Sequence, residues 1–253
     1  MPERDIPEWF TRAEEAFHPI HQRVATAIKS NGLPTHLFLA PQEAVYFFVH
    51  AMEIAYEANK AGIHANALSQ TRYCIEALAI IELGMCRTNS REAILEDWLK
   101  GKTSPGKVRQ WLARKVWPSY GTGLWSESWE NFMAKLAGAV QPYAHYTSQL
   151  AQWQSHLHFA NPGESTAYIQ SGPIVYDPQK ATRITLYHSI LNYALGRIYL
   201  ANCASEDTKF REIISRFGDA LGKSRYLDGH QTNWDQQFWA MVWDRRTGSP
   251  QLE

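Results

Sequence analysis

The sequence predicts an all-α protein: a multi-helix bundle with one small β-hairpin or extended segment near residues 165–177. Apolar residues recur at helical spacing along most of the 253-residue chain, and helix-start and helix-stop residues separate these stretches. Only one stretch has two short aliphatic and aromatic segments around a Ser-Gly turn, as strands do. Since no repeat or linker divides the chain, we expect a single helical domain over residues 1–253.

Composition excludes several classes of function. Lys plus Arg and Asp plus Glu number 25 each, so no overall basic field attracts nucleic acid or an acidic membrane surface. The three cysteines are too few for a disulfide framework and indicate a reducing compartment. The first ten residues lack the basic and apolar regions of a signal peptide, and no apolar run approaches the ~18 residues of a membrane span. These features favour a soluble, cytoplasmic protein.

Proline and glycine set the predicted limits of the first two helices. The first helix follows Pro7 and ends at Asn31-Gly32, with a kink caused by Pro19. The second helix starts at Pro41 and ends at Gly62. Because the next connection is very short, we expect the second and third helices to form an antiparallel hairpin.

The third helix, from Ala65 to Arg87, is predicted to lie at the centre of the core. It is apolar on more than one side, which is typical of a helix surrounded by other helices. Later helices are predicted from the capping residues at their N-termini. One of them is a long helix that starts at Ser126 or Ser128, is bent by Pro142 and continues towards Asn161. The predicted starts are Ser90, Ser104-Pro105, Ser126 or Ser128, Asp177-Pro178, and positions near 206 and 234.

Arg72 and Glu76 are the most unusual feature of the central helix, because they place two charges four residues apart in apolar surroundings. We expect other helices to supply partners, among them His50 and Glu53 of the preceding helix. One interpretation is a polar pocket whose guanidinium binds a carboxylate or phosphate. The other is a satisfied buried network that fixes helix register.

His145 lies just after the bend predicted at Pro142, where a histidine can point inward and act as an acid or base near neutral pH. We therefore add His145 to the predicted pocket of Arg72 and Glu76. The alternative is a hydrogen-bonded packing residue between two tyrosines.

Metal and cofactor sites are not predicted. Glu15-x-x-His18 matches one ligand pair of helical di-iron proteins, and His50-x-x-Glu53 has the reverse order, but chance alone supplies about one such match in a chain of this composition. No phosphate-binding glycine loop, nucleophile elbow or Cys-x-x-Cys motif occurs.

Basic residues and tryptophans are interleaved between positions 98 and 117, among them Arg109 and Trp117. Such a pattern is compatible with stacking on single-stranded nucleic acid, but it is equally the pattern of two amphipathic helices with solvated lysines and buried tryptophans. We favour the second interpretation.

Arg183 and His188 have the Arg-x4-His spacing, which resembles the catalytic motif of the HEPN family of helical, metal-independent endoribonucleases. The resemblance implies that Arg183 stabilises the phosphorane charge, that His188 transfers the proton and that the protein is a homodimer acting on RNA. Ile184 stands where the family usually has a polar residue, and Arg225-x4-His230 has the same spacing.

Four features of the sequence together resemble bacterial helical domains of unknown function, the DUF5677-like set. They are the Arg72-x3-Glu76 helix, the Trp98-x-x-Gly101 segment, the His145 helix and the Ser171-Gly172-Pro173 turn. This resemblance implies a helical bundle with a cluster of Arg, Glu and His. The leading hypothesis is a module that binds a small polar or anionic ligand. The alternative is a HEPN-like ribonuclease, of the kind suspected in phage defence.

Overall fold

The computed structural model describes residues 6–147, 150–151, 153, 156–159, 167–170, 176–203 and 207–224. Within these ranges the protein is built of eight α-helices, which confirms the predicted all-α bundle. Their bounds are α1 Glu8–Ser30, α2 Thr35–Lys60, α3 His64–Met85, α4 Arg91–Leu99, α5 Pro105–Lys115, α6 Trp129–Val140, α7 Pro178–Asn202 and α8 Thr208–Gly222.

Local capping explains where several helices begin. The side chains of Ser104, Ser128 and Asp177 accept hydrogen bonds from backbone N–H groups in the first turns of α5, α6 and α7. Pro105 and Pro178 occupy the first helical position, where a missing N–H costs nothing. The helix starts predicted at these three residues are confirmed.

The predicted start of the second helix at Pro41 is wrong, because α2 begins six residues earlier and Pro41 is a buried residue inside it. The ring of Pro41 packs against Gly84 of α3. A Cβ at position 84 would lie 2.4 Å from the Cβ of Pro41, so only glycine allows the two helices to approach this closely. Close packing against α3 therefore compensates for a proline within the helix.

The long helix predicted from residue 128 through Pro142 to about Asn161 is also wrong. Helix α6 ends at Val140 and is followed by a 3-10 turn, Gln141–Tyr143. The carbonyl of Pro142 is instead bonded by the Thr147 hydroxyl, at 2.8 Å. Because proline cannot donate the next helical hydrogen bond, the chain leaves the helix at this point.

Two short strands follow, His156–Phe159 and Ala167–Gln170, and they pair antiparallel. The second strand falls within the segment predicted to be extended, but its partner precedes it in the chain. The Ser171-Gly172 turn of the predicted hairpin lies outside the described residues, as does the last predicted helix near residues 234–243. Both remain predictions.

Helix α3 is the centre of the bundle. It forms the expected hairpin with α2 and also contacts α1, α5, α6 and α7. A continuous apolar core contains side chains from all eight helices. No helix in the described ranges is long and apolar enough to span a membrane.

Candidate functional site

Arg72 lies on α3 with its side chain about nine-tenths buried. Its Nη2 forms an ion pair with Oε1 of Glu76, one turn further along the helix, at a distance of 2.8 Å. The side chain of Arg72 is 10% exposed and that of Glu76 is 35% exposed. The pair therefore lies at the edge of the core, with the carboxylate on the solvent side and the guanidinium on the inside.

Two nitrogens of the Arg72 guanidinium lack a hydrogen-bond partner within the described ranges. Its Nε and Nη1 are buried, and no hydrogen-bond acceptor for them is found among the described residues. A buried donor without an acceptor costs roughly 1–3 kcal/mol, and more when it belongs to a charged group. Glu76 thus accounts for only one of the three nitrogens of Arg72.

Helix α5 places a second guanidinium beside this pair. Val108 and Leu112 anchor α5 in the core, and Arg109 between them is half-buried. Burial lowers the pKa of Arg109, the positive charge of Arg72 lowers it further, and the carboxylate of Glu76 raises it. Nη1 of Arg109 is also buried without an acceptor in the part of the chain that the structure describes.

The site therefore contains two guanidinium groups and one carboxylate, which leaves an excess of one positive charge in partly buried surroundings. Charges in such surroundings need a counter-charge or hydrogen bonds that compensate for lost hydration. Arginine side chains with free N–H groups are suited to binding carboxylate or phosphate oxygens. The arrangement has the chemistry of an anion-binding site.

The neighbouring groups position this site and are unreactive. The Ser69 hydroxyl, one turn before Arg72, lies 3.1 Å from the carbonyl of Ala65 and 3.4 Å from that of Tyr143, and the buried hydroxyl of Tyr187 donates to the carbonyl of Leu136. Burial raises the pKa of the Cys74 thiol to about 12, so this thiol remains protonated at neutral pH. The Tyr187 bond connects α7 to α6, and the Ser69 contact connects the 3-10 turn at Tyr143 to α3.

His50 and Glu53 were predicted to complete the Arg72 pocket, and this prediction is wrong. Both side chains are exposed on the outer side of α2, where His50 Nδ1 lies 3.4 Å from Glu53 Oε2. They contact each other but not Arg72. Helix α2 is apolar on two sides, so its sequence pattern did not distinguish the side that faces α3 from the side that faces solvent.

His145 was predicted to join the same pocket. It is exposed and follows the 3-10 turn that ends at Tyr143. Tyr143 connects this turn to α3 through Ser69, but no contact between His145 and Arg72 is found in the described structure. The structure brings Arg72 and Glu76 together, as predicted, and leaves His145 outside.

Arg183 and His188 are both buried in α7, contrary to the arrangement that the ribonuclease hypothesis requires. The Thr71 hydroxyl donates to the carbonyl of Ala67, so it accepts a hydrogen bond of 2.7 Å from Nε2 of His188. Burial lowers the pKa of His188 to about 4, so the imidazole is neutral at physiological pH. In this position His188 bonds α7 to α3 and cannot reach RNA at the surface.

Glu82, also on α3, is a fully buried carboxyl that sequence reasoning did not single out as a site. Its two oxygens accept hydrogen bonds of 3.0 and 3.1 Å from Nε1 of Trp117, and the Tyr120 hydroxyl also bonds to it. Burial raises the pKa of Glu82 to about 7, against the effect of these hydrogen bonds. Trp117, a member of the predicted basic and aromatic patch, is thus buried and cannot stack on a nucleic-acid base.

Two depressions occur elsewhere on the described structure. One, of about 230 Å³, lies between α1, α2 and α7, and its buried Asn59 is fully bonded to His64, Ala181 and Thr185. The other, of about 680 Å³, is wide and lies at the start of α4, where Arg91 bonds two backbone carbonyls. Neither is lined by Arg72.

No group of three or more potential metal ligands is found among the described residues. Comparison of the chain with family models, with curated proteins and with solved structures found no match in any of the three. The resemblances to the DUF5677-like set and to the HEPN family therefore depend on the short motifs quoted above and on nothing further.

Proposed function

We propose that the protein binds a small oxyanion, a phosphate or a carboxylate, between Arg72 and Arg109. The observation that carries this proposal is the buried, unbonded side of the Arg72 guanidinium. It develops the leading hypothesis from the sequence, a module for a polar or anionic ligand, and replaces His50, Glu53 and His145 with Arg109.

The charge balance supports the proposal. An anion beside the two guanidinium groups would neutralise the excess positive charge and accept hydrogen bonds from nitrogens that lack acceptors. Glu76 competes with this anion because it already neutralises part of the same charge. A ligand must therefore bind beside Glu76 or displace it, and removal of the Glu76 charge should increase affinity.

The test is a titration of the full chain with inorganic phosphate and, separately, with acetate, followed by calorimetry and by thermal unfolding. A ligand that binds only the folded state raises the free energy of unfolding by about 2.7 kcal/mol at a hundred times its Kd. We expect Glu76→Gln to bind phosphate about tenfold more tightly and Arg109→Gln to bind it about tenfold more weakly, since each changes one charge next to the ligand.

Arg23→Gln is the matched control. Arg23 is also partly buried and paired with a carboxylate, with its Nε 2.7 Å from Oδ2 of Asp207, but it lies on α1 and contacts α8 through Phe210. Its substitution should leave phosphate affinity unchanged. If Glu76→Gln lowers stability without tightening phosphate or acetate binding, the Arg72–Glu76 pair is a structural network and the proposal fails.

We do not extend the proposal to RNA cleavage, because Arg183 and His188 are buried. The cytoplasmic location remains a proposal, supported by three cysteines that form no disulfide.

A further inference from the structure

The outer side of the α2–α3 hairpin carries exposed aromatic and aliphatic side chains. Tyr46, Phe47 and Ile54 of α2 and Tyr73 of α3 are each about half exposed or more, and the Phe47 and Tyr73 rings are in edge contact at 6.3 Å. On α2 these residues have helical spacing, so they share one face with His50. We call this surface, with the acidic residues described next, the α2 outer face.

Glutamates surround these apolar side chains. Glu43, Glu53 and Glu57 lie on the same face of α2, and all three are exposed. Two basic groups on this face of α2 are already engaged: Lys60 Nζ lies 3.3 Å from Glu57, and His50 lies beside Glu53. The α2 outer face therefore combines a cluster of aromatic and aliphatic groups with negative charge.

We infer that the α2 outer face is a docking surface for a basic amphipathic helix of a partner protein. Clustered exposed aromatic residues mark interaction surfaces, whereas single exposed apolar residues are ordinary. A helix with apolar residues on one side and Lys or Arg on its flanks would cover Phe47 and Ile54 and pair with the glutamates. This inference does not depend on the proposed anion site.

The charge pattern disfavours the other occupants. In an antiparallel two-fold contact between two copies centred on His50, the face of one copy would meet the same face of the other. Each face carries Glu43, Glu53 and Glu57 against Lys60, so two net negative surfaces would repel each other. A membrane with acidic lipids is repelled for the same reason. Charge complementarity thus selects a basic partner.

The experiment measures fluorescence anisotropy of a labelled synthetic helical peptide with leucine on one side and lysine on the other, titrated with the full chain. A peptide with glutamate in place of lysine is the charge control. We expect saturable binding of the lysine peptide only, weakened by salt. The Phe47→Ser, Ile54→Ser double variant should bind at least about tenfold more weakly, as loss of two apolar anchors predicts.

Two further variants distinguish binding at the α2 outer face from non-specific binding to exposed apolar groups. Glu53→Gln with Glu57→Gln should lower affinity several-fold and reduce the salt dependence. Leu99→Ser is the matched control, since Leu99 is 46% exposed at the end of α4 and is not one of the residues that define the α2 outer face, and its substitution should have little effect. Thermal unfolding verifies that each variant is folded.

Equal binding of both peptides, no binding of the lysine peptide, or binding unchanged by Phe47→Ser and Ile54→Ser would overturn the inference. So would sedimentation of the chain alone as a dimer that Phe47→Ser converts to a monomer, because a second copy would then cover the face.

Discussion

Arg72 and Arg197 are both partly or fully buried arginines of central helices, but their guanidinium groups differ greatly in the number of hydrogen-bond acceptors around them. Arg197 of α7 donates to the carbonyls of Gly123 and Thr122 at 3.1 and 2.9 Å, and its Nη1 lies 2.8 Å from the Tyr193 hydroxyl. Its guanidinium carbon also lies 5.3 Å from the centre of the Trp129 ring. In the part of the chain that the structure describes, Arg72 pairs with Glu76, and its Nε and Nη1 have no hydrogen-bond acceptor.

The comparison distinguishes a structural guanidinium from one that has unused binding capacity. Arg197 holds the loop before α6 against α7, and its bonds to that loop are made by groups of the chain itself. Among the described residues, no loop carbonyl accepts a hydrogen bond from Nε or Nη1 of Arg72. Unused donors in a buried place are the expected property of a binding site.

The largest expected effect is loss of stability in Arg197→Ala. The substitution leaves the carbonyls of Gly123 and Thr122 without their donors, and we expect the free energy of unfolding to fall by about 3–4 kcal/mol. Denaturant unfolding measures this change. Arg216→Ala, which removes an exposed pair with Glu212 on α8, should change stability by less than about 1 kcal/mol. Similar losses in both variants would contradict the comparison.

Ionisation of the buried Glu82 is also expected to lower the free energy of unfolding, by an amount that depends on pH. Because its pKa is raised from 4.5 to about 7, the folded state holds a proton that the unfolded state has released in this window. Stability from this group is present below about pH 4.5, is lost as pH rises towards 7 and stays low above it. The loss amounts to about 3 kcal/mol, since one pKa unit corresponds to about 1.4 kcal/mol.

Glu82→Gln should remove this loss. Chemical denaturation of both proteins between pH 4.5 and 8 measures the difference, because surface carboxylates contribute equally to each. We expect the free energy of unfolding of Glu82→Gln to increase relative to that of the unmodified chain as pH rises. Parallel curves would mean that Glu82 titrates alike in the folded and unfolded states.

Arg72→Met has the smallest expected effect on stability and the sharpest effect on binding. The methionine is apolar and removes the two donors without acceptors, while Glu76 is exposed enough to be hydrated. We expect stability to change by less than about 1 kcal/mol and phosphate-dependent stabilisation to disappear. A loss as large as that of Arg197→Ala would place Arg72 among the structural arginines.

Features decided by neighbouring residues could be predicted from the sequence. Ser104, Ser128 and Asp177 start helices because capping depends on the next three residues. The Arg72–Glu76 pair was found for the same reason, since helical spacing alone brings the two together.

Features decided by packing between helices could not be predicted in this way. Arg109 was assigned to a basic patch, because nothing in the sequence shows that α5 lies against α3. Pro41 was taken as a helix start, because its compensation comes from Gly84, far along the chain. His50 and Glu53 were placed inside, because a helix that carries apolar residues on its solvent side resembles a buried one.

The contact of Pro41 with Gly84 also has a consequence for how the protein can change shape. Because the Pro41 ring occupies the space that a side chain at position 84 would take, we expect sliding of α2 along α3 to be resisted at this point. Phe47 and Tyr73 are carried by these two helices, so the spacing between their rings is fixed before any partner arrives. A partner helix would therefore bind a surface whose geometry is already set, and its own side chains would have to adjust.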